Sequence, residues 1–215
     1  MPPSRLGSVK SGFIALEGID GCGKSTLATL LSERLANAGF RVELTAEPTR
    51  TWLGDAVRRS YTESVSPYTE AFLFLADRAT HTDWIRERVK AGGLVISDRY
   101  SDSTVAYQAA LLHQRLGGKP EHYIRYLTEV SEPIVTKPDI TLLLDVDPGV
   151  SLKRLGSRAE LEKFENLENL RLVRRNYLAI AKASDHTKII DASRSLARVG
   201  EDAVKAIGGH FEADL

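Results

Sequence analysis

Gly18-Ile19-Asp20-Gly21-Cys22-Gly23-Lys24-Ser25 has the residue types and spacing of a loop that grips phosphate, GxxxxGK followed by a hydroxyl residue. Glycines let such a backbone curl until successive N–H groups converge on the same oxygens. A helix leaving the loop adds the positive end of its dipole. Lys24 has the reach for the β- and γ-phosphates, and the Ser25 hydroxyl is an oxygen ligand for Mg2+. Asp98-Arg99 forms a second chemical pair, a carboxylate able to hold Mg2+ through water beside a planar fork that grips oxyanions bidentately. Cys22 is read as a small residue that fits the loop, although converging N–H groups could lower a thiol's pKa. The five histidines show no metal-ligand spacing with cysteine.

Such residues need a scaffold. Short Val/Ile/Leu-rich runs at Phe13–Leu16, Val42–Leu44, Leu94–Ser97, Ile140–Val146 and Lys188–Asp191 alternate with segments long enough for crossover helices. The alternation predicts a three-layer α/β/α domain with a five-stranded parallel sheet, each strand buried on both faces. The first strand leads into the glycine-rich loop, and Leu27, Leu30, Leu31 and Leu35 form a helical stripe leading out of it, with Gly39 as the stop. Asp98-Arg99 closes the third strand, which places it at the carboxyl edge where ligands bind in open parallel sheets. A helix beginning near Pro67 is apolar almost all round over residues 71–76, so one face is expected on the sheet and another on a ligand, lid or second subunit.

Composition narrows the class. The chain has 215 residues, 42% hydrophobic and 27% charged, with Lys+Arg and Asp+Glu both 29. That balance argues against a strongly basic nucleic-acid binder. One cysteine excludes an internal disulfide and suits a reducing compartment, expected to be the cytosol. No apolar run approaches the ~20 residues of a membrane span, and no signal-peptide pattern follows Arg5 and Lys10. One domain is expected over residues 12–215, with a flexible start at 1–11 and a short lid at about 154–166.

A phosphate loop alone leaves a small-molecule kinase, a GTP-type switch and a motor in competition. Thr136-Lys137-Pro138-Asp139 fits a guanine reader formally, but it precedes a strand run and its proline enforces an extended approach, so it is read as a strand lead-in. No Asp-x-x-Gly switch follows the third strand, and the chain is short for a motor. A small-molecule phosphotransferase is favoured.

Several stretches together resemble the thymidylate kinase family: Phe13–Thr26, Glu47-Pro48, Phe74–Arg78, Asp98-Arg99-Tyr100 with Ser103–Gln108, Lys137–Asp139 and Glu162–Glu165, in order and at compatible spacing. The resemblance implies a P-loop nucleoside monophosphate kinase that moves the γ-phosphoryl of ATP to dTMP with Mg2+, works as a homodimer, and needs neither nucleic acid nor membrane. It implies an ATP set of Gly18, Asp20, Gly21, Cys22, Gly23, Lys24, Ser25 and Thr26, with Arg154 nearer the base or phosphates, and Ser25 and Asp98 at the metal. For dTMP it implies Phe74 stacked on thymine and Arg78 on a base carbonyl. Thr104 lies by the pyrimidine, Tyr107 by the sugar's 2′ position with Gln108 following it in the dTMP set, and Tyr177 near the sugar. Asp20 and Glu47 join that set, and Arg99 takes the acceptor phosphate. Two positions depart from the family pattern. Gly21 occupies a slot where some members carry a catalytic arginine, so the charge is assigned to the lid, to Arg158 or Arg154. The arginine usual beside Glu47-Pro48 is displaced to Arg50, which shares the acceptor phosphate with Arg99 or leaves it to Arg99. The competing readings are another nucleoside monophosphate or deoxynucleoside kinase, and a nucleotide-binding regulator.

Overall fold

A computed structural model describes residues 11–156 and 167–211. The expected flexible start up to residue 10 lies outside the described residues, as do residues 157–166 of the expected lid. The order is β1 (Gly12–Glu17), α1 (Lys24–Asn37), β2 (Val42–Ala46), α2 (Trp52–Ser60), α3 (Pro67–Lys90), β3 (Leu94–Asp98), α4 (Ser101–Leu116), α5 (Pro120–Ser131), β4 (Ile140–Asp145), α6 (Pro148–Leu155), α7 (Leu167–Lys182), β5 (Thr187–Asp191) and α8 (Leu196–Phe211). The five strands form one sheet in the order β2-β3-β1-β4-β5, and every pairing is parallel. No described helix is long and apolar enough to cross a membrane.

Alternate residues of β1 show why the sheet is a middle layer. Ile14 and Leu16 pack with Leu27, Leu31 and Leu35 of α1 and with Val204 and Ile207 of α8. Phe13 and Ala15 face the other way, onto Ile85 of α3, Val95 and Tyr100. Each fully buried aliphatic side chain of this kind contributes about 1.5–3 kcal/mol. The expectation of burial on both faces holds for β1, β3 and β4 but not for the edges. Leu44 of β2 is 45% exposed and Ile189 of β5 53%, because an edge strand has less helix above it than a central one.

Register brings the chemistry to one edge. Leu16 is level with Asp98 and Asp98 with Ala46, so the segments leaving β1, β2 and β3 emerge side by side. The phosphate loop leaves β1 between β3 and β4, at the switch point of the sheet. The Thr136–Asp139 segment is a strand lead-in: the Asp139 N–H donates to the Phe13 carbonyl, and the Phe13 N–H donates to Asp139 Oδ2 at 2.7 Å. The apolar run of α3 is divided more finely than the sequence suggests. Ala71 and Leu75 are buried, Leu73 and Phe74 half-buried, and Phe72 is 46% exposed. Leu75 therefore belongs to the core and not to a surplus outer face.

The segment after β2 is held by α3. Asp77 accepts from the Thr49 N–H at 2.8 Å and from its hydroxyl at 2.5 Å. Thr51 then caps α2 by accepting from the Gly54 N–H. Gly54 is required here, since a Cβ on it would lie 1.9 Å from the Thr49 carbonyl oxygen, a backbone atom with nowhere to go. Gly54→Ala is expected to lower the thermal unfolding midpoint by about 5 °C or more. An unchanged midpoint would mean that α2 and the 47–51 segment are not packed as described.

Candidate active site

The phosphate loop curls through three glycines with positive φ, Gly18, Gly21 and Gly23. Gly21 shows the constraint: a Cβ there would lie 2.6 Å from the Ser151 carbonyl oxygen and 2.9 Å from Leu155 Cγ, both on α6. The loop thus has no room for a side chain at this slot, and α6 is locked against it further by Ser151 Oγ donating to the Asp20 carbonyl. Cys22 is buried, and burial pushes its thiol pKa up, so it behaves as a small space-filling residue. Lys24 is buried too, with Nζ donating to the carbonyls of Gly18 at 2.9 Å and Ile19 at 3.0 Å. The Ser25 hydroxyl donates to Asp98 Oδ2 at 2.5 Å, joining the first turn of α1 to the end of β3. These two oxygen ligands suit a hard cation that keeps water and phosphate in its shell, the manner in which Mg2+ is bound. Among the described residues no cluster of three His, Cys, Asp or Glu could cage a metal by itself.

Beside the loop lies a cavity of about 270 Å³. Asp20 belongs to both. It accepts from Arg99 Nη2 on one oxygen and from the Tyr107 hydroxyl at 2.5 Å on the other, while its N–H donates to that hydroxyl at 3.0 Å. The Arg99 guanidinium lies 5.1 Å from the centre of the Tyr107 ring and donates to Ser103 Oγ at 3.1 Å. Arg99 has φ +74, an uncommon backbone for a residue with a side chain. Burial alone would raise the Asp20 carboxyl, but Arg99 and then Lys24 outweigh it and hold the pKa at about 2. Burial, reinforced by Asp20, pushes Tyr107 well above the usual phenol range, so it remains a hydroxyl donor.

Phe74, Thr104 and Gln108 line the cavity. Arg78 is not among the lining residues. Its 1% exposed side chain donates to Thr104 Oγ1 at 2.8 Å, to the Tyr100 carbonyl at 2.8 Å and to Glu47, leaving Nε buried without a partner among the described residues. Glu47 is buried and also takes His81 Nδ1 at 2.8 Å. Burial raises the Glu47 carboxyl, yet Arg78 and His81 bring it below its ordinary range. Tyr177 lies behind the wall, its hydroxyl 2.8 Å from Ser103 Oγ and 3.1 Å from Glu17 Oε2. Arg50 is exposed and not part of the lining. Arg154 donates to the carbonyls of Ala192 at 2.8 Å and Ser193 at 3.3 Å, between β5 and α8. Arg158 lies outside the described residues.

Sequence reasoning missed four lining residues, Pro48, Arg58, Tyr61 and Ser103. Arg58 is the chemically important one. It donates to the Pro48 carbonyl at 3.1 Å and the Thr49 carbonyl at 2.7 Å, and pairs with Asp55, which fixes a guanidinium at the cavity wall. Its signal was present: Gly54 and Arg58 are four apart, so a helix that packs Gly54 against residue 49 turns Arg58 to the same side. Glu17 was also passed over. It is buried at the end of β1 and accepts from the N–H groups of Tyr100 and Ser103 at 2.9 and 3.2 Å, as well as from Ser103 Oγ and Tyr177.

A phosphate-gripping loop joined through one aspartate to an arginine- and aromatic-lined cavity invites comparison with known proteins. The family model for thymidylate kinase matches residues 16–203. The chain belongs to the thymidylate kinase family. A probable thymidylate kinase of Methanococcoides burtonii is 40% identical over 209 residues, which is 95% of this chain and 100% of that protein. One of Pyrobaculum aerophilum is 40% identical over 198 residues, 91% of this chain and 95% of that one. The solved structure of thymidylate kinase from Candida albicans shares the fold at a TM-score of 0.80 and 24% identity, covering 94% of this chain and 93% of that one. Thymidylate kinases are nucleoside monophosphate kinases of the P-loop class, and the observed sheet and loop are of that kind.

Within this family member the Glu17 network carries an electrostatic load. Burial raises Glu17, and burial followed by the Glu17 charge pushes Asp102 up to about 7, from an ordinary 3.8. An unfolded chain would lose the Asp102 proton near 3.8 and the folded chain near 7. Between those values the folded state holds the extra proton, so stability falls as pH rises through the window and the full cost is present above it. Asp102→Asn is expected to raise the thermal midpoint at pH 8 by about 2–4 °C or more while leaving it nearly unchanged at pH 4. Equal shifts at both pH values would refute the charged origin of the cost.

Proposed function

We propose that this chain transfers the γ-phosphoryl group of ATP to the phosphate of dTMP, releasing ADP and dTDP. The observation that carries this reading is the double membership of Asp20: one residue of the phosphate loop also forms the wall of the second cavity and positions Arg99 and Tyr107 there. A nucleotide switch or a simple hydrolase has no use for an acceptor cavity wired to its phosphate loop.

In this reading the loop N–H groups and Lys24 hold the ATP phosphates. Lys24 exchanges two carbonyls for phosphate oxygens, which are stronger acceptors because they are charged. Ser25 and Asp98 would hold Mg2+, whose charge would neutralise the phosphoryl oxygens. Arg99 and Arg58 grip the dTMP phosphate from two sides, and Arg58 takes the part first assigned to Arg50. Phe74 stacks on thymine, Thr104 and Gln108 read its edge, and Tyr107 crowds the sugar. Arg78 acts through Thr104, whose oxygen it engages, leaving the hydroxyl proton for a base carbonyl. Transfer then makes a bond from an acceptor phosphate oxygen to the γ-phosphorus and breaks the β–γ bridging bond. Little beyond alignment and charge neutralisation is needed. Arg158 or Arg154 supplies the remaining positive charge, since Gly21 leaves no room for it in the loop; Arg158 is taken first.

The decisive measurement is acceptor-dependent ADP release with dTMP, dUMP, dCMP, dGMP and thymidine. dTMP is expected to lead, with dUMP about 10–200-fold poorer because one methyl group separates them. No response to dTMP would overturn the reading, and a stronger response to another acceptor would favour a different nucleoside monophosphate or deoxynucleoside kinase. Lys24→Ala should abolish transfer in a folded chain. Arg58→Ala should raise the KM for dTMP about 10–100-fold, the worth of a charged hydrogen bond, while Arg50→Ala changes it less than about threefold. Arg158→Ala should slow transfer by a factor on the order of 10³.

We also read the chain as a cytosolic homodimer, with Phe72 on the outer face of α3 available to a second copy. Sedimentation equilibrium at micromolar concentration should return twice the chain mass; a monomer there would refute it.

A further inference from the structure

Gln108 of α4 lines the cavity, yet its side chain is only half satisfied. Nε2 donates to Glu70 Oε1 at 3.3 Å, while Oε1 is buried and has no partner among the described residues. A buried carbonyl oxygen left without a donor is costly unless a ligand supplies one. Glu70 sits in the first turn of α3 and is fully buried. Glu70 Oε1 accepts from the Gln108 amide, and this contact sets the amide nitrogen toward Glu70 and its oxygen away from it.

We infer that Glu70 is a positioning residue for acceptor specificity: it fixes the Gln108 amide with Oε1 presented to the base, so that the cavity selects pyrimidines whose N3 carries a proton. This rests on the reading that the cavity binds a pyrimidine monophosphate. Thymine and uracil have an N3–H donor that completes Oε1. Cytosine has a bare N3 lone pair, which would face another acceptor. Glu70 touches neither base nor phosphate and acts only by denying Gln108 the opposite orientation.

The test uses Glu70→Gln. A glutamine at 70 can turn its own N–H toward Gln108, which frees the amide at 108 to present its NH2 to the base. We expect the ratio of kcat/KM for dTMP over dCMP to fall at least about tenfold, through KM, while dTMP over dUMP changes less than about twofold. Glu70→Asp, which remains acceptor-only, should keep the wild-type preference. In a Gln108→Leu background, Glu70→Gln should add nothing to the dTMP/dCMP ratio. Glu70→Ser, whose hydroxyl is also a donor, makes the same comparison if circular dichroism shows Glu70→Gln unfolded. A variant that slows dTMP, dUMP and dCMP equally, or one that still shifts the ratio when combined with Gln108→Leu, would overturn the assignment. A wild-type chain that ignores dTMP would instead overturn the functional reading beneath it.

Discussion

The ionised carboxylate of Asp20 is the constraint on which the rest of the site depends. Its two oxygens hold Arg99 from the end of β3 and Tyr107 from α4, its carbonyl holds Ser151 of α6, and its backbone is part of the phosphate loop. The end of β3, α4 and α6 are therefore all tied to the phosphate loop by one residue. A reaction that consists mostly of alignment needs this kind of rigid connection, because a displacement of about an ångström can cost a hundredfold in rate. The low pKa of Asp20 keeps the connection charged over the whole physiological range.

A second tier of buried polar groups supports the first. Glu17 ties the end of β1 to the start of α4 and to α7 through four donors. Glu47 collects Arg78 and His81, and Asp77 collects the backbone and hydroxyl of Thr49. These carboxylates are enclosed and would be costly if left unpaired; satisfied, they specify one arrangement of loops over the sheet. The Asp77-Arg78 pair therefore works from beneath the cavity floor, holding the 47–51 segment and Thr104 in place.

What the sequence made legible follows from locality. The phosphate loop, the helix after it and the five strands are written in short stretches whose meaning depends on neighbouring residues, and all stand where the spacing put them. The edge strands were misjudged because a Val/Ile/Leu-rich run has the same look at the centre of a sheet and at its margin; only strand order distinguishes them. Arg58 was hidden because Arg58-Arg59 on an amphipathic helix looks like solvated charge, and its role depends on a close approach at Gly54. Glu17 and the Glu70–Gln108 contact were illegible for a related reason: a buried carboxylate is recognised by its partners, and these lie 38 or more residues away.

The backbone at Arg99 has a consequence of another kind. With φ +74 the residue occupies a region that glycine enters freely and arginine does not, at the point where β3 turns into α4. Glycine there would ease the backbone but leave the Asp20 carboxylate without its cation, so the local turn and the charge pair make opposite demands on one residue.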